Sequence, residues 1–96
     1  MEIKAEVRRF LIEKFFAGAP ENYLNDSTFL ITSGLINSID VIDVINFIET
    51  RFGIEFLPRE IDARNLDTLG QIEELVRKKL ANQGVGSDLN GERKFP

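Results

Sequence analysis

The stretch Gly34-Leu35-Ile36-Asn37-Ser38-Ile39-Asp40-Val41-Ile42-Asp43-Val44-Ile45 passes from an irregular apolar segment into an amphipathic run. Asn37 is a good N-cap, because its side-chain oxygen can accept from backbone N–H groups of a first helical turn. Ser38 then becomes the first helical residue, pointing outward at the positive end of the helix dipole. A phosphate ester carried there would sit in favourable potential. Val41, Ile45, Ile48 and Phe52 recur as one stripe, while Ile39, Ile42, Val44 and Phe47 extend apolar surface around most of the cylinder. The β-branched content would suit a strand. Length and the i, i+3, i+4 recurrence instead predict a helix over 38–52, closed by Gly53 as a C′ residue.

Upstream, Ile3, Val7, Leu11 and Phe15 recur every fourth position and Phe10 widens the stripe, which predicts a helix over 3–16. Gly18-Ala19-Pro20 ends it. The connection over 21–36 carries Tyr23, Leu24, Phe29, Leu30, Ile31, Leu35 and Ile36, too many apolar residues for a solvated linker. It is expected to pack over the helices, with a helical turn near Ser27–Ile31. Downstream, an extended Ile54-Glu55-Phe56-Leu57 leads to a short helix in Pro58–Arg64, with Pro at its first position and Ile61 packing inward. Asp67-Thr68-Leu69-Gly70-Gln71 reads as a capping box, Thr68 at the N-cap and Gln71 at N3. The helix it starts buries Leu69, Ile72, Leu75, Val76 and Leu80. Residues 83–96, with Gly84, Gly86 and Gly91 and little to bury, read as a disordered C-terminal tail, so the folded domain is expected to span 1–82.

With 96 residues this is one domain, large enough for a modest core but not for a catalytic cleft between lobes. The chain has no Cys and no His, which removes thiolate chemistry, the commonest general base and the middle member of a Ser-His-Asp triad. Nothing local activates Ser38 as a nucleophile, and no enzyme activity is expected; being modified by another enzyme requires only exposure. Asp40 and Asp43 are two hard ligands without calcium-loop spacing, so no metal site is expected. The net charge of −4 argues against nucleic acid. Residues 21–57 hold six acids (Glu21, Asp26, Asp40, Asp43, Glu49, Glu55) against one base, Arg51, which points to basic partner proteins. Met1-Glu2-Ile3-Lys4 opens on a helical pattern rather than a signal peptide, and no apolar run reaches membrane-spanning length. The expectation is a cytoplasmic monomer without membrane insertion.

Gly34 before the turn, Asn37-Ser38-Ile39 at the helix start, Phe52-Gly53-Ile54 at its end and Asp67-Thr68-Leu69 at the last helix follow one another in an order that resembles the acyl carrier protein family, over roughly residues 3–81. The resemblance implies an all-α four-helix bundle of acyl-carrier type, with long helices 1, 2 and 4, a short helix 3 and a long packed loop between helices 1 and 2. It implies that Ser38 carries a covalent 4'-phosphopantetheine arm donated by coenzyme A, beside the capping Asn37, with acyl groups held as thioesters on the arm's thiol. It further implies a phosphopantetheinyl transferase, an acyl- or aminoacyl-activating ligase, and acyltransferase or synthase enzymes with basic docking patches as partners. Asp40, Asp43 and Glu49 occupy positions like the acids that family members offer to such patches, and Ile39 and Ile42 could contact partners directly; the three acids also read as an ordinary solvated helix face. Ile42, Ile45, Phe47 and Ile61 read either as core or as the lining of a pocket that shelters an acyl chain.

The chain departs from the family pattern at several places. Asn37 replaces the usual Asp before the serine, Ile39 replaces the usual Leu, and Thr50 and Arg51 stand where fatty-acid carriers often have acids. Gly34 to Ser38 is one residue longer than in the commonest fatty-acid carriers. With Arg59-Glu60-Ile61-Asp62, this looks closer to D-alanyl and aminoacyl carriers. The leading expectation is a free-standing carrier, of the kind used in lipid and fatty acid biosynthesis, for a specialised lipid, glycolipid or polyketide route. An aminoacyl or D-alanyl carrier, and an unmodified helical adaptor with the carrier fold, are the alternatives.

Overall fold

The computed structural model describes residues 2–93, and among these four α-helices carry the fold. They are α1 (Ile3–Phe15), α2 (Ser38–Phe52), α3 (Ala63–Leu66) and α4 (Leu69–Arg93), with single 3-10 turns at Glu21–Tyr23 and Pro58–Glu60. The described residues form an all-helical bundle in which α1 packs against α2 and α4, and α3 packs against α4. None of their helices is long and apolar enough to cross a membrane.

The core follows the sequence stripes closely. Val7 and Leu11 of α1, Val41, Ile45, Ile48 and Phe52 of α2, and Leu69, Ile72 and Val76 of α4 are buried. Leu75 and Leu80 pack against that core from its edge. Two details differ on α1: Ile12 is buried, whereas Phe15 is half-buried with its edge toward the Phe10 ring at 6.2 Å. Phe10 in turn stacks on Phe47 of α2, with ring centroids 4.3 Å apart. One turn away, Arg51 of α2 grips Glu6 of α1 with contacts of 2.5 and 2.7 Å. Offset ring stacking and a forked guanidinium–carboxylate pair thus set the α1–α2 register.

The long connection lies on the bundle, as expected, through buried Leu24, Leu30 and Ile36. Its helical turn is not near Ser27–Ile31 but at Glu21–Tyr23, where Tyr23 rests on Phe16 with ring centroids 5.3 Å apart. The reason is local. Asn25 Oδ1 accepts from Ser27 N at 2.8 Å and Thr28 Oγ1 accepts from Asn25 N at 3.0 Å, side-chain bonds that compete with a helical backbone. Asp26 also anchors this stretch to α1, accepting from Lys4 Nζ at 2.8 Å and Arg8 at 2.7 Å. The hydrogen bond from the Lys4 ammonium is the main reason the Asp26 carboxyl sits below its usual range.

The expected short helix over Pro58–Arg64 is split. Glu60 accepts from Leu57 N at 2.7 Å and closes the 3-10 turn, after which Asp62 is extended and starts α3. Ile61 falls at the break and is 37% exposed, so it does not pack inward. At the next junction the Thr68–Gln71 capping box forms as expected, with Thr68 Oγ1 accepting from Gln71 N and Gln71 Oε1 accepting from Thr68 N, both at 3.1 Å. Gln71 Oε1 also accepts from Asp67 N at 2.9 Å. The helix then continues to Arg93, past the boundary at 82 drawn from composition. Once nucleated, a helix gains one hydrogen bond per residue added. Residues 94–96 of the expected tail lie outside the described residues.

Asp67 is the buried charged residue of the described core, with 6% exposure. Its Oδ1 accepts from Ile31 N at 2.8 Å and Thr32 N at 3.0 Å, and its Oδ2 accepts from the Thr32 hydroxyl at 2.7 Å. Burial pushes the carboxyl up, but these donors outweigh it and hold Asp67 below the usual carboxylate range. Asp67→Asn is expected to lower stability by about 1–3 kcal/mol in chemical denaturation at neutral pH. A depressed folded pKa makes the contribution complete above the unfolded value of 3.8 and lost as pH falls through the folded one. The gap between wild type and variant should therefore close in acid. A gap that persists unchanged to about pH 2 would show that the ionised carboxylate contributes nothing.

Candidate functional site

The N-terminus of α2 is built by two residues that hold each other. Asn37 is extended, and its Oδ1 accepts from Asp40 N at 2.8 Å. Asp40 Oδ2 returns the bond by accepting from Asn37 N at 3.1 Å. The sequence identifies the Asn37 cap; the reciprocal role of Asp40 is added by the structure. Val41 N bonds to the Asn37 carbonyl at 3.0 Å and begins the helical ladder. Among the described residues, the N–H groups of Ser38 and Ile39 have no protein acceptor. Ser38 is exposed between them, so its hydroxyl stands beside two open donors at the positive end of a 15-residue helix.

Upstream, Gly34 makes the approach possible. Its φ of +86° lies in the left-handed region, and its N–H bonds to Ile31 O at 3.0 Å. Ile36 N then bonds to Leu30 O at 2.9 Å, closing the 30–36 segment into a loop that delivers the chain to Asn37.

The candidate contact residues fall into different environments. Ile39 and Ile42 are 72% and 57% exposed, and helical spacing puts Asp43 and Asn46 on the same outer face. Asp43 is half-buried and forms no ion pair among the described residues. Asp40 is half-buried and engaged in the cap. Glu49 is half-buried too, and its Oε2 accepts from Phe56 N at 2.9 Å, tying the chain after α2 back onto the helix. Arg51, the base of the acidic segment, is turned toward Glu6 of α1. Three acids that look alike in sequence therefore differ: one caps, one ties, and Asp43 has neither duty.

The four residues considered as pocket lining differ in exposure. Ile45 is buried, Phe47 stacks on Phe10 at the α1–α2 seam, and Ile42 and Ile61 are exposed. A groove does run along that seam, lined by Phe10, Lys14, Asp43, Asn46, Phe47 and Thr50. Exposed Phe29, at 59%, lies on the connection eight residues before the cap, in a position that no sequence motif marks. Asp67 and Thr32 were missed as well, because residues this far apart in the chain give no local signal.

No protein-family model matches this chain, and no curated protein matches it in sequence. Local geometry alone gives a test of the capped helix start. Asn37→Ala is expected to cost about 1 kcal/mol of stability, since it removes the acceptor for Asp40 N. Unchanged urea midpoints for this variant would mean that water replaces the cap without penalty.

Proposed function

We propose that this chain is a carrier domain on which Ser38 bears a covalent 4'-phosphopantetheine arm. The observation that carries the reading is an exposed serine as first residue of a firmly capped amphipathic helix, flanked by open backbone donors and by exposed Ile39 and Ile42. A phosphodiester formed at the Ser38 hydroxyl meets favourable potential from the helix dipole and the free N–H groups. Ser38 supplies only the oxygen that receives the arm, and the chain offers no His or Cys to activate it. Partner enzymes supply the chemistry: a transferase joins that oxygen to the pantetheine-bearing phosphate of coenzyme A and releases adenosine 3',5'-bisphosphate, a ligase loads the arm's thiol, and an acyltransferase or synthase takes the cargo. The domain contributes tethering, which turns a diffusive encounter into one of high effective concentration.

The cargo in this reading is an acyl group in a specialised pathway, with basic partner surfaces meeting Asp43 and the outer face of α2. A second reading has an amino acid as cargo: Ile42 and Ile61 are exposed, and an amino acid needs no shelter inside the bundle.

Intact mass spectrometry after incubation with coenzyme A and a broad-specificity transferase is expected to show one phosphopantetheine adduct, placed on Ser38 by fragmentation. Ser38→Ala should abolish it and leave the fold intact, because the side chain is exposed. An adduct retained on that variant would move the site elsewhere, and an unmodified wild-type chain would favour an arm-less adaptor. Asp43→Lys should slow transfer to a basic partner by about tenfold, with stability within about 0.5 kcal/mol of wild type. Asp43 is the cleaner probe than Asp40, whose replacement also breaks the cap. Equal partner kinetics would remove the acidic face from the mechanism.

A further inference from the structure

We infer that Asp67, through Thr32, is a positioning residue that registers the 30–36 segment against α4 and so presents Ser38 to the enzyme that modifies it. The inference rests on the carrier reading for its consequence at Ser38, but its structural half stands by itself. The route is a continuous polar chain. Gln71 Oε1 holds Asp67 N at 2.9 Å, and the Asp67 carboxylate holds Ile31 N, Thr32 N and the Thr32 hydroxyl at 2.7–3.0 Å. The Asp67 carbonyl accepts from Leu30 N at 2.7 Å. Leu30 O accepts from Ile36 N at 2.9 Å, and Ile36 leads directly into Asn37 and Ser38. Each link is a directional bond, and four of the residues joined, Leu30, Ile31, Thr32 and Ile36, belong to a segment seven residues long.

Apolar anchoring does not do the same work. Leu30 and Ile36 are buried, at 1% and 3% exposure, and hold the segment on the bundle. Burial of apolar side chains is non-directional, so it leaves the peptide groups of residues 31–35 unregistered. The bonds to Asp67 fix the peptide groups of residues 30–32, and those made to its carboxylate are charge-assisted, the strong class. The placement is also unlike a simple helix cap. Thr68 fills the N-cap of α4 and Gln71 completes the box, which leaves the Asp67 carboxylate to serve the distant segment instead. A segment that leaves its registered state only part of the time lowers apparent affinity by the fraction lost, with little effect on the bound complex. The expected kinetic signature is therefore a raised KM for the transferase with kcat preserved.

The test uses the full chain and two substitutions at Thr32, whose side chain reaches out from an exposed position. Thr32→Val removes the hydroxyl donor at similar volume, and Thr32→Ser keeps it. In Thr32→Val, amide hydrogen exchange at residues 31, 32, 34 and 36 should rise by about tenfold while Val44 and Ile48 of α2 keep their rates. KM for Ser38 modification should rise about threefold or more with kcat unchanged, and Thr32→Ser should match wild type in both. Asp67→Asn should move the same amides and the same KM further. The proposal is overturned if exchange rises uniformly through the core, if the 31–36 amides do not respond, or if they respond without any change in KM. A wild-type chain that accepts no phosphopantetheine at all would defeat the carrier reading. The exchange pattern would then decide the Asp67 tether separately.

Discussion

A carboxylate taken out of water must be matched by donors, and Asp67 organises this molecule because its donors come from a segment 35 and 36 positions away in the chain. Its two oxygens receive Ile31 N, Thr32 N and the Thr32 hydroxyl, and its own N–H is held by Gln71. Remove the acceptor, and two backbone N–H groups lose their partner at an edge of the core, a cost comparable to the stabilisation of a whole helix cap. The irregular connection between α1 and α2 has no ladder of its own to satisfy its peptide groups. It is tied to α1, where Arg8 donates to the Leu24 carbonyl and Lys4 and Arg8 pair with Asp26, and its Ile31 and Thr32 N–H groups are matched by Asp67 at the junction before α4. Beyond those two fixings the chain turns at Gly34 toward Ser38.

The surface of α2 then becomes intelligible as a division of labour. Asp40 is spent on the helix start, Glu49 on holding Phe56, and Arg51 on Glu6 of the neighbouring helix. What is left facing outward at the serine end is Ile39, Ile42, Asp43 and Asn46: two apolar contacts with an acid beside them. A docking surface of this kind combines apolar area for affinity with a charge for orientation. The charge count of the segment overstates its electrostatic reach, since several of its acids already have local duties.

How much could be read from the chain depends on the distance over which each determinant acts. The bounds of α2 and the capping box at α4 were legible because Asn37, Gly53, Thr68 and Gln71 act on groups within four residues of themselves. The core stripes were legible because burial on a helix repeats with its period. The turn placed at Ser27–Ile31 was misread because Asn25 and Thr28 engage their neighbours by side chain, while Ile31 and Thr32 donate to a residue 36 and 35 positions away. The third helix broke where Glu60 captured Leu57 N, which turned Ile61 outward. At the candidate site, Ser38 and Asn37 could be named from local rules. Asp67 and Thr32 could not, because no pattern in the sequence pairs them.

The docking of Tyr23 against Phe16 has a practical consequence. The chain has one Tyr and no Trp, so near-ultraviolet emission comes from a single ring sitting where the long connection leaves α1. That ring is 47% exposed and rests on one aromatic neighbour. Its quantum yield and anisotropy should follow the seating of the connection on the bundle rather than the melting of the core. The protein thus carries a native optical reporter for the long irregular connection, which can be followed without a label.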